Sequence, residues 1–223
     1  MSIVTIVVIV LVIISIVACI VKSFKTKSSE SVNIKEYPNF LSDEECDMII
    51  ALSKDNLIDS TVYTEKENII NDSHRKSKQA WLYDNQNALI KSISEKVAKL
   101  TNMPIENQEP LQVVKYESGG FFNPHYDACD GDANFCKRLN GSSGARRITL
   151  LIYLNDEFTG GETIFPNVPY TAKPKKGKAV MFTGTNDKDQ LIEESYHGGN
   201  PVKSGVKWIC NKWIRPFKYV LPN

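Results

Sequence analysis

The opening stretch MSIVTIVVIVLVIISIVACIV carries no charge and is almost wholly aliphatic or β-branched, whereas the remainder of the chain mixes apolar and polar positions. Ile3 to Val21 is long enough to cross a hydrocarbon core of about 30 Å as a helix. A cleavable signal would show a basic start, a shorter apolar run and a small-residue cleavage site. Residues 1–21 are therefore expected to form an uncleaved transmembrane anchor, and the polar, Ser/Lys-rich residues 22–35 a linker. Beyond them, Ser42-Asp-Glu-Glu45 spells a capping box ahead of Cys46, Met48, Ile49, Ile50 and Leu52, predicting a helix over 43–54. A second helix, capped by Asn85, is predicted from the stripe Leu89, Ile90, Ile93, Val97 and Leu100.

Between the two helices, TVYTEKENIINDSHRKSKQAWL is polar with no sustained period. A segment of that length reads as a functional loop or lid, or as a plain flexible loop. After residue 110 the pattern changes to short runs split by Gly, Pro, Asn and Asp: LQVVKY, ARRITLLIYLN, ETIF, GKAVMF and KWICNKWI. Strands at this spacing, with no helical pattern between them, predict a sandwich or barrel. The fold class is thus mainly β with flanking N-terminal helices (α+β), and no internal repeat is present.

Charge narrows the function classes. With 27 basic and 26 acidic residues of 223 spread along the chain, no basic footprint for nucleic acid stands out. The five cysteines contain no CxxC pair, which argues against a structural zinc site. Cys129 and Cys136, seven apart in a polar loop, are open to either a disulfide or two free thiols. The sequons Asn71-Asp-Ser73 and Asn140-Gly-Ser142 carry meaning only if the body is lumenal. Lys22, Lys25 and Lys27 directly after the apolar run point instead to the cytosolic side.

Ligand-type side chains concentrate in FFNPHYDACDGDANFC, residues 121–136. Asp130, Asp132 and Asn134 alternate as calcium-loop ligands do, yet Phe135 stands at the required glycine and Gly141 at the bidentate glutamate, which excludes an EF-hand. On a strand, His125 and Asp127 would project from one face, with Tyr126 on the other. His74 and His197 are the other two histidines. His197 is followed by Gly198, Gly199, Pro201 and Gly205, then Lys207, which suits a strand, a turn and a returning strand. On that returning strand Lys207, Ile209, Asn211 and Trp213 share a face. A lysine turned into a barrel is costly unless it meets an anion, so Lys207 is either a carboxylate partner or simply exposed. Two histidines and a carboxylate on one side of a metal are the arrangement of non-haem Fe(II) oxygenases.

Taken together, VVKYESGGFFNPHYDA, RRITLLIYLNDEFTGGETIFP, PKKGKAVMF and YHGGNPVKSGVKWICNKWIR resemble the catalytic domain of the prolyl 4-hydroxylase alpha-subunit family of 2-oxoglutarate- and Fe(II)-dependent dioxygenases. The similarity covers roughly residues 36–216, and residues 36–218 are expected to form the dioxygenase domain. The resemblance implies a double-stranded β-helix (jelly-roll) core. It makes His125, Asp127 and His197 the iron ligands and Lys207 the partner of the distal carboxylate of 2-oxoglutarate. Tyr116 and Tyr153 fall where the family lines the co-substrate pocket, or else are core aromatics. Trp213 looks like a pocket wall, and Thr149, Thr183 and Asn211 are further candidates. The GGET stretch, Gly160 to Thr163, reads as architecture, while Arg75 and Trp81 resemble the segment near the peptide groove. His74 reads as a solvated loop histidine.

By the same resemblance the cofactors and co-substrates are Fe(II), 2-oxoglutarate, O2 and L-ascorbate. Such chemistry needs a site shielded from water, and the polar segment 61–80 is the candidate for closing over it. The implied reaction hydroxylates a prolyl residue in an extended, proline-rich peptide, with release of succinate and CO2. Alternatives are a lysyl or other peptide side chain, or a non-catalytic peptide-binding module. Retention of all three metal ligands and Lys207 argues against the module, and the carboxylate ligand against a halogenase. A single-pass protein of the endoplasmic reticulum or another internal membrane is expected, on either side of it.

Overall fold

A computed structural model describes residues 30–63, 68–69 and 73–221. The expected anchor, most of the linker and Asn71 lie outside the described residues, among which no helix is long and apolar enough to cross a membrane. In chain order the elements are β1 (Ile34–Tyr37), α1 (Asp43–Ser53), β2 (Ile58–Asp59), β3 (Val62–Tyr63), β4 (Asn68–Ile69), β5 (Arg75–Lys76), β6 (Lys78–Leu82) and α2 (Ala88–Thr101). There follow β7 (Leu111–Tyr116), β8 (Phe121–His125), α3 (Ala133–Asn140), β9 (Ile148–Tyr153), β10 (Phe158–Gly160), β11 (Thr163–Phe165) and β12 (Tyr170–Ala172). The last four are β13 (Ala179–Thr183), β14 (His197–Gly199), β15 (Val202–Gly205) and β16 (Lys207–Ile214).

A seven-stranded sheet in the order β1-β13-β9-β16-β7-β6-β2 faces a five-stranded one in the order β12-β11-β14-β8-β5, with every pairing antiparallel. The period of two along the strands divides the core between them. On one face of the large sheet Leu111, Val113, Leu150, Ile152, Cys210 and Ile214 pack against Cys46, Ile49, Ile90, Ile93 and Val97 of the two long helices. On the other face Val114, Tyr116, Leu151, Tyr153, Val180 and Ile209 turn inward, toward the small sheet. The result is a jelly roll with helices on one flank, as the strand spacing and the family resemblance predict.

Local chemistry sets the boundaries. The capping box forms in full: Ser42 Oγ accepts from the Glu45 N–H at 3.1 Å, and Glu45 Oε2 accepts from the Ser42 N–H at 2.9 Å. The second helix begins later than its pattern suggests, because Asn87 rather than Asn85 accepts from the Leu89 N–H, at 2.8 Å. Residues 83–86 close a turn ahead of it, with the Gln86 N–H on the Tyr83 carbonyl. Ile34 and Lys35, read as linker, pair with β13 in β1, a strand of four residues that is too short to show a period. Strand β8 stops at His125, so Asp127 sits two residues past its end rather than on it. Asp132, one of the alternating acidic positions, caps α3 by accepting from the Asn134 and Phe135 N–H groups. The segment expected to be irregular contributes β3, β4, β5 and β6, and its residues 64–67 and 70–72 lie outside the described residues.

Candidate active site

Strands β14 and β8 pair so that His197 stands directly opposite His125, with an irregularity in the ladder after His197. Their rings lie 4.5 Å apart between centroids. The chain leaving β8 brings Asp127 back to the same point: His125 Nε2 is 3.8 Å from Asp127 Oδ1, and His197 Nε2 is 3.6 Å from Asp127 Oδ2. One ligand atom from each residue falls within 4.8 Å of the others. Each imidazole is oriented from behind, with Nδ1 of His125 2.8 Å from the Asn123 carbonyl and Nδ1 of His197 2.8 Å from that of Ser195. A carbonyl oxygen only accepts, so both Nδ1 atoms carry the proton and both Nε2 lone pairs face Asp127.

The surroundings keep these groups in the ligand-ready state. Phe122 stacks on His125 with ring centroids 3.6 Å apart, and Phe182 and Phe165 meet His197 at 4.6 and 5.6 Å. Burial, reinforced by the neighbouring His197, holds the His125 imidazole well below its usual range and hence neutral. Burial disfavours the Asp127 charge, but His197, His125, Arg146 and the Thr149 hydroxyl outweigh it and keep the carboxyl below its ordinary range. Thr149 Oγ1 donates to Asp127 Oδ2 at 2.7 Å. Thr149→Val, which keeps the shape and removes that bond, is expected to lower metal affinity about 10- to 100-fold; Fe(II) titration of the variant measures it.

The three ligands open onto a cavity of about 460 Å3. At one end lies Lys207, 2% exposed, opposite Tyr116 in the β16–β7 register. Its Nζ donates to the Gly161 carbonyl at 2.8 Å and lies 5.1 Å from the Tyr116 ring. Burial pushes this ammonium down to about 7, with the Glu162 carboxylate acting the other way. Gly161 takes a φ of +69°, and a Cβ there would lie 3.1 Å from Lys207 Cδ, so the turn read as architecture also shapes the lysine's surroundings. Thr163, read with that turn as architecture, is the first residue of β11 and lines the cavity.

Other expected residues divide. Trp213 and Asn211 line the cavity, Asn211 donating to Gln112 Oε1 at 3.1 Å. Tyr153 lies behind the wall, its hydroxyl 2.7 Å from Thr163 Oγ1 and its ring 5.8 Å from Lys207 Nζ. Thr183 closes β13, where its hydroxyl accepts from the Asn33 N–H. Arg75 reaches the cavity with its guanidinium 4.6 Å from the Phe122 ring centroid, and exposed His74 is at the mouth. Trp81 packs on Trp213 at 6.0 Å without lining the cavity. Unforeseen in the sequence is buried Glu109, which accepts from Arg146 at 2.7 and 2.8 Å and from Arg215 at 2.8 Å, while Arg146 covers the Trp213 ring at 3.6 Å.

Two imidazole nitrogens and one carboxylate on one side of an open space fit a non-haem ferrous ion. A buried ammonium beside them, acted on among the described residues by Glu162 alone, fits the far carboxylate of an acidic co-substrate. Residues 111–215 match the model of the 2OG-Fe(II) oxygenase superfamily. The chain is 37% identical over 81% of its length to a protein of Acanthamoeba polyphaga mimivirus whose name proposes a prolyl 4-hydroxylase, covering 73% of that protein. It is 34% identical to prolyl 4-hydroxylase 5 of Arabidopsis thaliana, over 82% of this chain and 68% of the other. Among solved structures, the viral collagen prolyl hydroxylase of Paramecium Bursaria Chlorella virus-1, solved with 2OG, superposes with a TM-score of 0.66 at 32% identity, over 82% of this chain and 95% of that one. Such relatives are 2-oxoglutarate-dependent dioxygenases that use Fe(II), 2-oxoglutarate and O2, and the chain belongs to the prolyl 4-hydroxylase family of 2OG-Fe(II) oxygenases.

Proposed function

We propose that this chain hydroxylates peptidyl proline, with His125, Asp127 and His197 holding Fe(II) and Lys207 pairing with the distal carboxylate of 2-oxoglutarate. The observation that carries the reading is the convergence of the three ligand atoms and the Lys207 ammonium on one cavity. When bound, iron and co-substrate supply the oxidising chemistry: 2-oxoglutarate loses CO2 to become succinate, and one oxygen atom of O2 enters a C–H bond. The chain supplies position and shelter. Tyr116 and Thr163 wall the co-substrate end, Lys207 fixes its charge, and Phe122, Phe165 and Phe182 exclude water around the imidazoles. Trp213, with Arg146 across its ring, and Arg75 over Phe122 offer flat surfaces at the other end, suited to a proline ring. An extended polyproline II peptide loses little entropy on docking there. Ascorbate, typical of the family, is expected as the accessory reductant.

A proline-rich peptide incubated with the purified chain, Fe(II), 2-oxoglutarate and ascorbate should gain the mass of one oxygen for each succinate released, and fragmentation should place it on proline. Oxygen on lysine, or no gain across a varied peptide panel, contradicts the reading. Lys207 sets a pH dependence. Only its protonated form pairs with the carboxylate, and it loses that proton near pH 7. Affinity for 2-oxoglutarate is therefore full below neutrality and falls about tenfold per pH unit above it. The KM for 2-oxoglutarate across neutral and alkaline pH measures this, and a flat profile contradicts it.

We further infer that the chain is membrane-anchored by residues 1–21, with the body in the lumen of an internal membrane. The Cys129–Cys136 disulfide supports the lumenal side, because such bonds persist in oxidising compartments. Protease protection in intact microsomes tests this; digestion of the body without detergent contradicts it.

A further inference from the structure

The loop leaving Asp127 carries the crosslink between Cys129 and Cys136, and the second of these lies on α3. Helix α3 has eight residues, none of them buried, and among the described residues it adds nothing to either core cluster. A helix that short does not hold itself together in water. Its apolar side chains, Phe135 and Leu139, are four apart and so share one face. That face turns to the cavity, where Cys129, Asp130 and Asn140 join it. Gly131 makes room for the arrangement, since a Cβ there would collide with the Phe135 ring. At the far end, Ser143 secures the segment by accepting from the Phe217 and Val220 N–H groups. At the near end the disulfide ties the helix to the loop leaving β8, at Cys129, two residues past Asp127.

We propose that the Cys129–Cys136 disulfide is a redox-sensitive clamp that sets peptide affinity by holding α3 as a wall of the cavity. The inference rests on the peptide reading above and adds its regulation. Closing the clamp is thiol–disulfide exchange. The two cysteine thiols give two electrons and two protons to the disulfide of an exchange partner, which leaves as a dithiol; a dithiol reductant reverses the step. With the clamp closed, Phe135 and Leu139 are in place before the peptide arrives. With it open, the peptide must order them on binding. The clamp thereby confines peptide hydroxylation to an oxidising compartment.

The test compares the oxidised full chain, the same protein reduced with a dithiol and desalted, and the Cys129→Ser/Cys136→Ser variant. Mass spectrometry after alkylation verifies the state of both thiols. Ordering two side chains on binding predicts a peptide KM about tenfold higher in the reduced and variant forms. The KM for 2-oxoglutarate should keep its oxidised value in the reduced wild-type chain, and hydrogen exchange should quicken over residues 129–143. An unmoved peptide KM with both thiols free overturns the clamp. A 2-oxoglutarate KM rising in step also overturns it, because the crosslink would then support the whole site. No peptide turnover by the oxidised enzyme would sink the substrate reading itself, and the clamp with it.

Discussion

Asp127→Ala is expected to lower peptide hydroxylation by more than about a hundredfold, because removal of a mere supporting partner behind a metal ligand already costs about 10- to 100-fold. Asp127 supplies the only carboxylate of the triad, and with it the negative charge that the two imidazoles do not bring to a metal. Its position is over-determined: Thr149 donates to one oxygen, and the two Nε2 atoms stand at 3.6 and 3.8 Å. The loss should appear as metal content as well as turnover, with Fe(II) no longer retained through desalting. The wild-type rate in this variant would show that the metal, if any, is held elsewhere.

Lys207→Met is expected to act in opposite directions on function and stability. A carboxylate brought into the cavity without its ammonium is a broken buried pair, which costs about 3–5 kcal/mol. That corresponds to a KM for 2-oxoglutarate raised by about two to four orders of magnitude. Without the co-substrate, however, the ammonium is buried with Gly161's carbonyl as its one hydrogen-bond acceptor among the described residues, and methionine should leave the chain equally or more stable. Linkage gives the sign with pH. The folded lysine titrates near 7 against an ordinary 10.5. Between those values the unfolded chain binds more protons, so this residue's contribution to stability rises with pH and its penalty is full below pH 7. Thermal melts of both forms across that window, with and without 2-oxoglutarate, measure the contrast. A variant that melts much lower and still binds 2-oxoglutarate normally would refute the role of Lys207.

Much of this was legible before the fold. Lys207, Ile209, Asn211 and Trp213 alternate with Trp208, Cys210 and Lys212, and only the first set lines the cavity. A period of two needs no tertiary knowledge, and neither does the Ser42 capping box, which is complete within four residues. What escaped depends on contacts distant in sequence. Glu109 precedes its partners Arg146 and Arg215 by 37 and 106 positions, and nothing local marks them as neighbours. Tyr153 sits on the inward face as expected, yet it lies behind Thr163, because the β9–β11 packing decides which of two inward residues meets the cavity. Helix α3 was hidden by its polar composition; a crosslink and an aspartate cap sustain it instead of a core.

The fate of the two oxygen atoms of O2 separates this chemistry from any other. With isotopically labelled O2, the peptidyl proline should acquire one labelled atom and the succinate formed with it another. Both labels should vanish in Asp127→Ala. Succinate that forms without label reaching the peptide, or hydroxyproline whose oxygen comes from water, would contradict an Fe(II)- and 2-oxoglutarate-dependent prolyl hydroxylase.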